Sequence, residues 1–169
     1  MEPLERQANH LERTGPKGGL DRLAAGSVRI ACVALVAIVI VEGWQVFARY
    51  VLNDSPSWTE PVALLLMSTA LMLGAAAGVR SQRHFGFQLL VEHVPSQVRR
   101  VLQVVQSAIA AAVGVLLAWW GTKMVVDAWD YSMAGAPLPQ GTAYLPVCIG
   151  GVLILVFSVE QLITRMRAK

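Results

Sequence analysis

A chain of 169 residues that is 55% hydrophobic and only 15% charged is not an ordinary soluble domain, because several of its apolar runs reach membrane-spanning length. The formal net charge of +3 does not indicate nucleic acid, since the charges sit between apolar runs and form no single patch. The two cysteines, Cys32 and Cys148, both fall inside apolar runs; they give no disulfide or metal pattern and are expected to be small buried apolar residues.

Residues 1–22 are polar and mixed in charge, with Gly15-Pro16-Lys17-Gly18-Gly19 as a breaker cluster. They read as a flexible cytoplasmic tail, since no small-residue cleavage site follows the next apolar run. A first helix is expected over about 23–47, with Arg29 near its inner end and able to snorkel. Glu42 is the one acid in its apolar context. At helical rise it lies about 28 Å along the helix, near the edge of a roughly 30 Å hydrocarbon core. It has two readings, a proton or cation site and an interfacial acid that pairs with a neighbouring subunit. Its depth, beside Trp44 and Tyr50, supports the second. Asn53-Asp54-Ser55-Pro56 is then turn chemistry, and Arg49 is the basic residue of this short outer connection.

The second helix, about 58–79, organises the chain. From Pro61 to Val79 it carries no charge, and its hydroxyls are Ser68 and Thr69. It has an acidic, aromatic start (Trp58, Glu60) and a basic end (Arg80, Arg83), which orients it from outside to inside. Ser57-x-x-Glu60 has capping-box spacing, and Pro56 or Pro61 fits only close to a helix start. Ala70, Gly74 and Gly78 recur every four residues, a register that lets another helix approach closely, although small residues are also simply common in membrane helices.

The inner connection contains a segment at about 84–95 that is too short and polar to span. With Phe85 and Phe87 interleaved among polar residues, it fits an amphipathic segment lying in the interface. Arg80, Arg83, His84, Phe85 and Phe87 are candidate anchors there. His84 and His93 lack the further ligands that a metal would need. A third helix over about 98–122 brings small residues (Ala110 to Ala112, Gly114) and ends on Trp119-Trp120, two further candidate anchors at the outer boundary. The helical pattern continues towards Lys123 and Asp127 at i,i+4. Ala134-Gly135-Ala136-Pro137-Leu138-Pro139 breaks it. A fourth helix over about 142–163 precedes a basic cytoplasmic tail, 164–169.

Of the Lys and Arg residues, five lie at or before Arg29, four in the inner connection and three at the C-terminus, against Arg49 and Lys123 on the outer side. All five Trp and all three Tyr fall on that outer side. The expected fold is an all-α membrane protein, with four transmembrane helices, an interfacial amphipathic segment between helices two and three, and both termini cytoplasmic.

Reaction chemistry is hard to find. There is no phosphate-binding loop, and His10, His84 and His93 all lie outside the expected spans, which disfavours a haem anchor. The spans also lack the discontinuous, charge-bearing segments of a complete ion-coupled transporter. The chain therefore reads as a non-enzymatic packing and anchoring protein. The competing reading is a self-sufficient four-helix exporter with Glu42 as its coupling site.

Arg49-Tyr50-Val51-Leu52-Asn53, Ser57-Trp58-Thr59-Glu60, Leu73-Gly74-Ala75-Ala76, Arg80-x-x-x-His84, Leu89-Leu90 with Pro95, Leu138-Pro139 and Tyr144-Leu145-Pro146-Val147 follow one another in this order. Together they resemble the small membrane subunit of TRAP (tripartite ATP-independent periplasmic) transporters, over about residues 23–163. Pro61 and Gln88 stand where that family often has an acid. The resemblance implies a bacterial inner-membrane complex with a large permease subunit that carries substrate and coupling ion, usually Na+, and a periplasmic binding protein that delivers an organic acid. It implies a scaffold role here, with no cofactor, metal or catalytic residue in this chain. Candidate partner-packing residues are then Glu42, Arg49, Tyr50, Trp58, Glu60, Ala70, Gly74 and Gly78.

Overall fold

The computed structural model of the chain describes residues 18–81 and 96–167. The expected interfacial segment, with Arg83, His84, Phe85 and Phe87, lies outside the described residues, as does most of the N-terminal tail. Four long helices carry the rest: α1 (Gly19–Phe47), α2 (Thr59–Ser81), α3 (Ser96–Asp127) and α4 (Leu145–Arg167). Each belongs to a span long and apolar enough to cross a membrane, so the chain is an all-α, multi-pass membrane protein.

The helix ends show local causes. α1 continues past Phe47 into one π-helical turn, Ala48–Leu52. Asn53 then stops it at φ 54°, with the Asp54 N–H donating to the Ala48 carbonyl at 3.1 Å. Asn is one of the few residues with a side chain that accept this left-handed backbone. Pro61 sits in the first turn of α2, where its missing N–H removes no helical bond. The Ser57-x-x-Glu60 capping box does not form. Ser57 Oγ donates instead to the Gly135 carbonyl at 3.2 Å, and Thr59 Oγ1 donates to the Pro56 carbonyl at 2.9 Å.

α2 starts at Thr59 and the Trp58 carbonyl accepts from the Val62 N–H, so Ser57 lies one residue before the cap position. Ser57 instead meets the loop between α3 and α4. This loop folds back on itself, with the Met133 N–H on the Leu138 carbonyl (2.8 Å) and the Gln140 N–H on the Tyr131 carbonyl (2.7 Å). A 3-10 turn, Gln140–Tyr144, then leads into α4. The loop seats Gly135 on the start of α2. Gly135 has φ 85°, and a Cβ there would lie 2.3 Å from the Ser57 carbonyl oxygen, so the contact requires glycine. The loop is thus a cap over one end of the bundle.

In space the helices pack in the order α1, α2, α4, α3. Met72 and Ala76 of α2, Ile154 and Phe157 of α4 and Ala24 of α1 form the core. α3 and α4 approach backbone to backbone: a Cβ on Gly114 would lie 2.7 Å from the Leu155 nitrogen, and one on Gly151 would lie 2.6 Å from the Ala118 nitrogen. Small residues are what permit this approach in lipid. Gly74 behaves differently. It is exposed, with nothing within 4 Å of an added Cβ, so the Ala70, Gly74, Gly78 stripe is not a continuous helix contact inside this chain. Buried Ala63, Ala70 and Ala77 lie seven residues apart; four-residue steps rotate about 40° each and leave that seam.

α1 is built inside out. Its buried residues are Ala24, Ser27, Ala31 and Ala34, while Val33, Val36, Val39 and Ile40 are 68%, 61%, 72% and 66% exposed. Cys32 is exposed on this helix, contrary to the expectation of a buried thiol, and Cys148 is half-buried with its Sγ 3.2 Å from Thr122 Oγ1.

Candidate functional site

The most polar arrangement among the described residues lies at the end of the bundle away from the cap. Asp21 is in the first turn of α1 and Arg80 in the last turn of α2, each with the sign that the local helix dipole favours. Arg80 Nε and Nη2 donate to Asp21 Oδ1 at 3.0 and 2.8 Å, and Nη1 donates to Glu160 Oε2 of α4. Next to Glu160, Gln161 Nε2 donates to the Val79 carbonyl at 2.7 Å, satisfying one of the orphan acceptors at the end of α2. One guanidinium thus joins α1, α2 and α4. Its planar fork of donors makes this possible, and a lysine ammonium would not reproduce it.

Arg80, a candidate membrane anchor by sequence, is in the structure the centre of this cluster. Its side chain is 19% exposed and occupied by two carboxylates. All three residues are legible in the sequence as charges at the same end of the expected spans. Their pairing is not, because it depends on which helices are neighbours.

The other candidates do not gather into one site. Glu42 is exposed on α1, and so are Arg49, Tyr50, Trp58 and Glu60 around the capped end. Trp44 and Phe47 stack at 5.9 Å between centroids, and Tyr50 stands 80% exposed beyond them, so the last turns of α1 present an aromatic ridge outward. Ala70 is buried, Gly74 is exposed and Gly78 is half-buried. Trp119 and Trp120 are exposed on α3, and Lys123 holds its ammonium over both rings, 5.8 and 5.7 Å from their centroids. Among the described residues there is no group of three or more His, Cys, Asp or Glu side chains that could hold a metal.

Hydroxyls within the spans bond their own helices. Ser27 donates to Leu23, Thr69 to Leu65 and Ser107 to Gln103, each a carbonyl one turn back. Ser158 is fully buried with no partner for Oγ among the described residues.

Residues 37–168 match the family "Tripartite ATP-independent periplasmic transporters, DctQ component". The chain belongs to this family. It is 25% identical over 114 residues to the C4-dicarboxylate TRAP transporter small permease protein DctQ of Vibrio cholerae serotype O1, a match that covers 64% of this chain and 49% of that protein. It is 20% identical over 134 residues to the sialic acid TRAP transporter small permease protein SiaQ of the same organism, covering 79% of this chain and 77% of that protein. The matched part of the chain thus spans about half the length of the dicarboxylate relative. Within this DctQ-family chain, Arg80 and Glu160 lie inside the family match, whereas Asp21 precedes it. The chain is a TRAP transporter subunit, and it carries four helices long and apolar enough to cross a membrane.

Proposed function

We propose that this chain is the scaffolding small permease subunit of a TRAP-type secondary transporter in a bacterial inner membrane. It holds a larger membrane subunit in the bilayer, and that subunit binds the substrate and the coupling ion. The observation that carries this reading is α1, whose small residues face the bundle while its large apolar side chains, from Val33 to Val46, face outward. A helix built this way presents its bulk to lipid or to a second membrane protein. The aromatic ridge of Trp44, Phe47 and Tyr50 extends that face.

A transport path through this chain has little to support it. Alternating access uses charged or polar groups near the membrane middle. Arg29 and Glu42 are both exposed, towards opposite ends of α1, and the bonded hydroxyls of Ser27, Thr69 and Ser107 serve their own helix backbones. The positive-inside balance favours a cytoplasmic Arg80 end and cytoplasmic termini, with the cap facing the periplasm, where a binding protein delivers substrate. The two relatives are named for a C4-dicarboxylate and for sialic acid. An organic acid is accordingly the substrate class proposed here, with Na+ held in the large subunit and no enzymatic step or cofactor in this chain.

The test is reconstitution in liposomes of the chain alone, of the chain with the large subunit, and of both with the binding protein. Gradient-driven uptake of an organic acid only in the complete system is the expected result. Transport by this chain alone, abolished by Glu42→Gln, would establish a small four-helix exporter instead.

A further inference from the structure

We propose that the groove between α3 and α4 at the capped end of the bundle binds a phospholipid with a primary-amine headgroup. The groove has a volume of about 530 Å³. Towards the middle of the spans it is lined by Val115, Ala118 and Leu155, and towards the cap by Trp119, Lys123 and Asp127, with Thr122 and Val126 between them. α3 runs from the Arg80 end to Asp127, so the apolar set lies deeper in the span and the second set, the charged rim, lies towards the cap. A lipid has the same layering, with chains against apolar side chains and a headgroup at the level where Trp and Lys collect.

The rim chemistry selects the headgroup. The Lys123 ammonium lies over the Trp119 and Trp120 rings at 5.8 and 5.7 Å. That contact fixes its position and leaves its other N–H donors for an anion. Asp127 follows one helical turn later on the same rim, and no ion pair or hydrogen bond joins it to Lys123. The rim therefore offers a cation and an anion side by side, neither satisfying the other. Phosphoethanolamine carries the complement: a phosphate for Lys123 and, two carbons away, a primary ammonium for Asp127. Phosphatidylglycerol brings the phosphate but no cation, and it sets like charges near Asp127. Phosphatidylcholine brings a cation without N–H donors, so it cannot form the charge-assisted bond to the carboxylate. The complementarity holds whichever face of the membrane the cap occupies.

The purified full-length chain, delipidated in detergent, is titrated with dioleoyl phosphatidylethanolamine, phosphatidylglycerol or phosphatidylcholine, and bound lipid is counted by native mass spectrometry. The ethanolamine lipid should be retained in preference to the other two. Lys123→Gln should lower its retention about tenfold, the scale of one lost charge-assisted contact. Asp127→Asn should abolish the preference over phosphatidylcholine, and Arg22→Gln, exposed at the opposite end of the bundle, should change neither. Lys123 and Asp127 are both exposed, so an unchanged melting temperature is expected of each variant and separates lost binding from lost folding. Equal retention of the three lipids, or unaltered ethanolamine-lipid retention in both rim variants, overturns the proposal. So does a photo-crosslinker at position 115 that joins the groove in intact membranes to another protein rather than to lipid.

Discussion

Replacing Arg80 by leucine keeps an apolar stem at the end of α2 but leaves Asp21 and Glu160 without their shared cation. The cost follows from exposure. The Arg80 side chain is 19% exposed, while those of Asp21 and Glu160 are 38% and 37% exposed. Exposed ion pairs contribute about 0.2–1 kcal/mol, whereas breaking a buried pair costs about 3–5 kcal/mol. Carboxylates more than a third exposed recover much of their hydration, so the expected loss for Arg80→Leu is about 1–2 kcal/mol. In a chain of this length that lowers the melting temperature by roughly 2–8 °C, measured on the purified protein in detergent. Lost packing of the arginine stem adds to the same drop, so the decisive assay is a pair of double-mutant cycles with Asp21→Asn and Glu160→Gln. Coupling above about 0.5 kcal/mol is expected in both cycles. In the Arg80→Leu background each carboxylate substitution should be neutral or slightly stabilising, because it removes an unpaired charge. If instead the single costs add to within about 0.3 kcal/mol, Arg80 does not hold the three helices together and the reasoning fails.

Three further outcomes follow from packing and sidedness. Gly151→Leu should destabilise the isolated chain by about 1–3 kcal/mol, because backbone atoms of α3 block the new side chain; Gly74→Leu should not, since its Cβ position is open, and thermal melts of the two variants compare them directly. A fall in co-purification of a large permease with Gly74→Leu, without a fall in the stability of the chain alone, would mark Gly74 as a partner contact. Ser158→Ala should be neutral or slightly stabilising in the same melts, because it removes a buried hydroxyl without a partner rather than breaking a bond. In a variant lacking Cys32 and Cys148, an impermeant thiol reagent added to intact cells should label cysteines at the exposed positions Asp54 and Ala134 but not one at Ser81; the reverse pattern inverts the proposed topology.

The spans are legible in the amino-acid sequence alone, because partition into a bilayer depends on the composition of each run rather than on what it touches. The uncharged stretch from Pro61 to Val79 and the tryptophans and tyrosines gathered near one set of helix ends are properties of this kind. The order of motifs from Arg49 to Val147 makes the family legible in the same way, since it needs no contact to be known. Contacts between helices are of another kind. In lipid a large apolar side chain gains little by turning inward, so hydrophobicity does not mark the inner face of a helix. That is why α1 buries Ala24, Ala31 and Ala34 and turns its valines outward, and why Gly74 and Gly114, both plausible packing glycines by sequence, stand respectively in open space and against the α4 backbone. Ser57 has the spacing of a local helix cap, but α2 starts one residue too late for it, and Ser57 Oγ donates to the Gly135 carbonyl of the distant loop. Asp21, Arg80 and Glu160 are visible as charges at one end of their spans. Only the placement of α2 between α1 and α4 lets one guanidinium reach both carboxylates, because a charge in the sequence sets depth, while pairing requires neighbouring helices and a shared rotation about their axes.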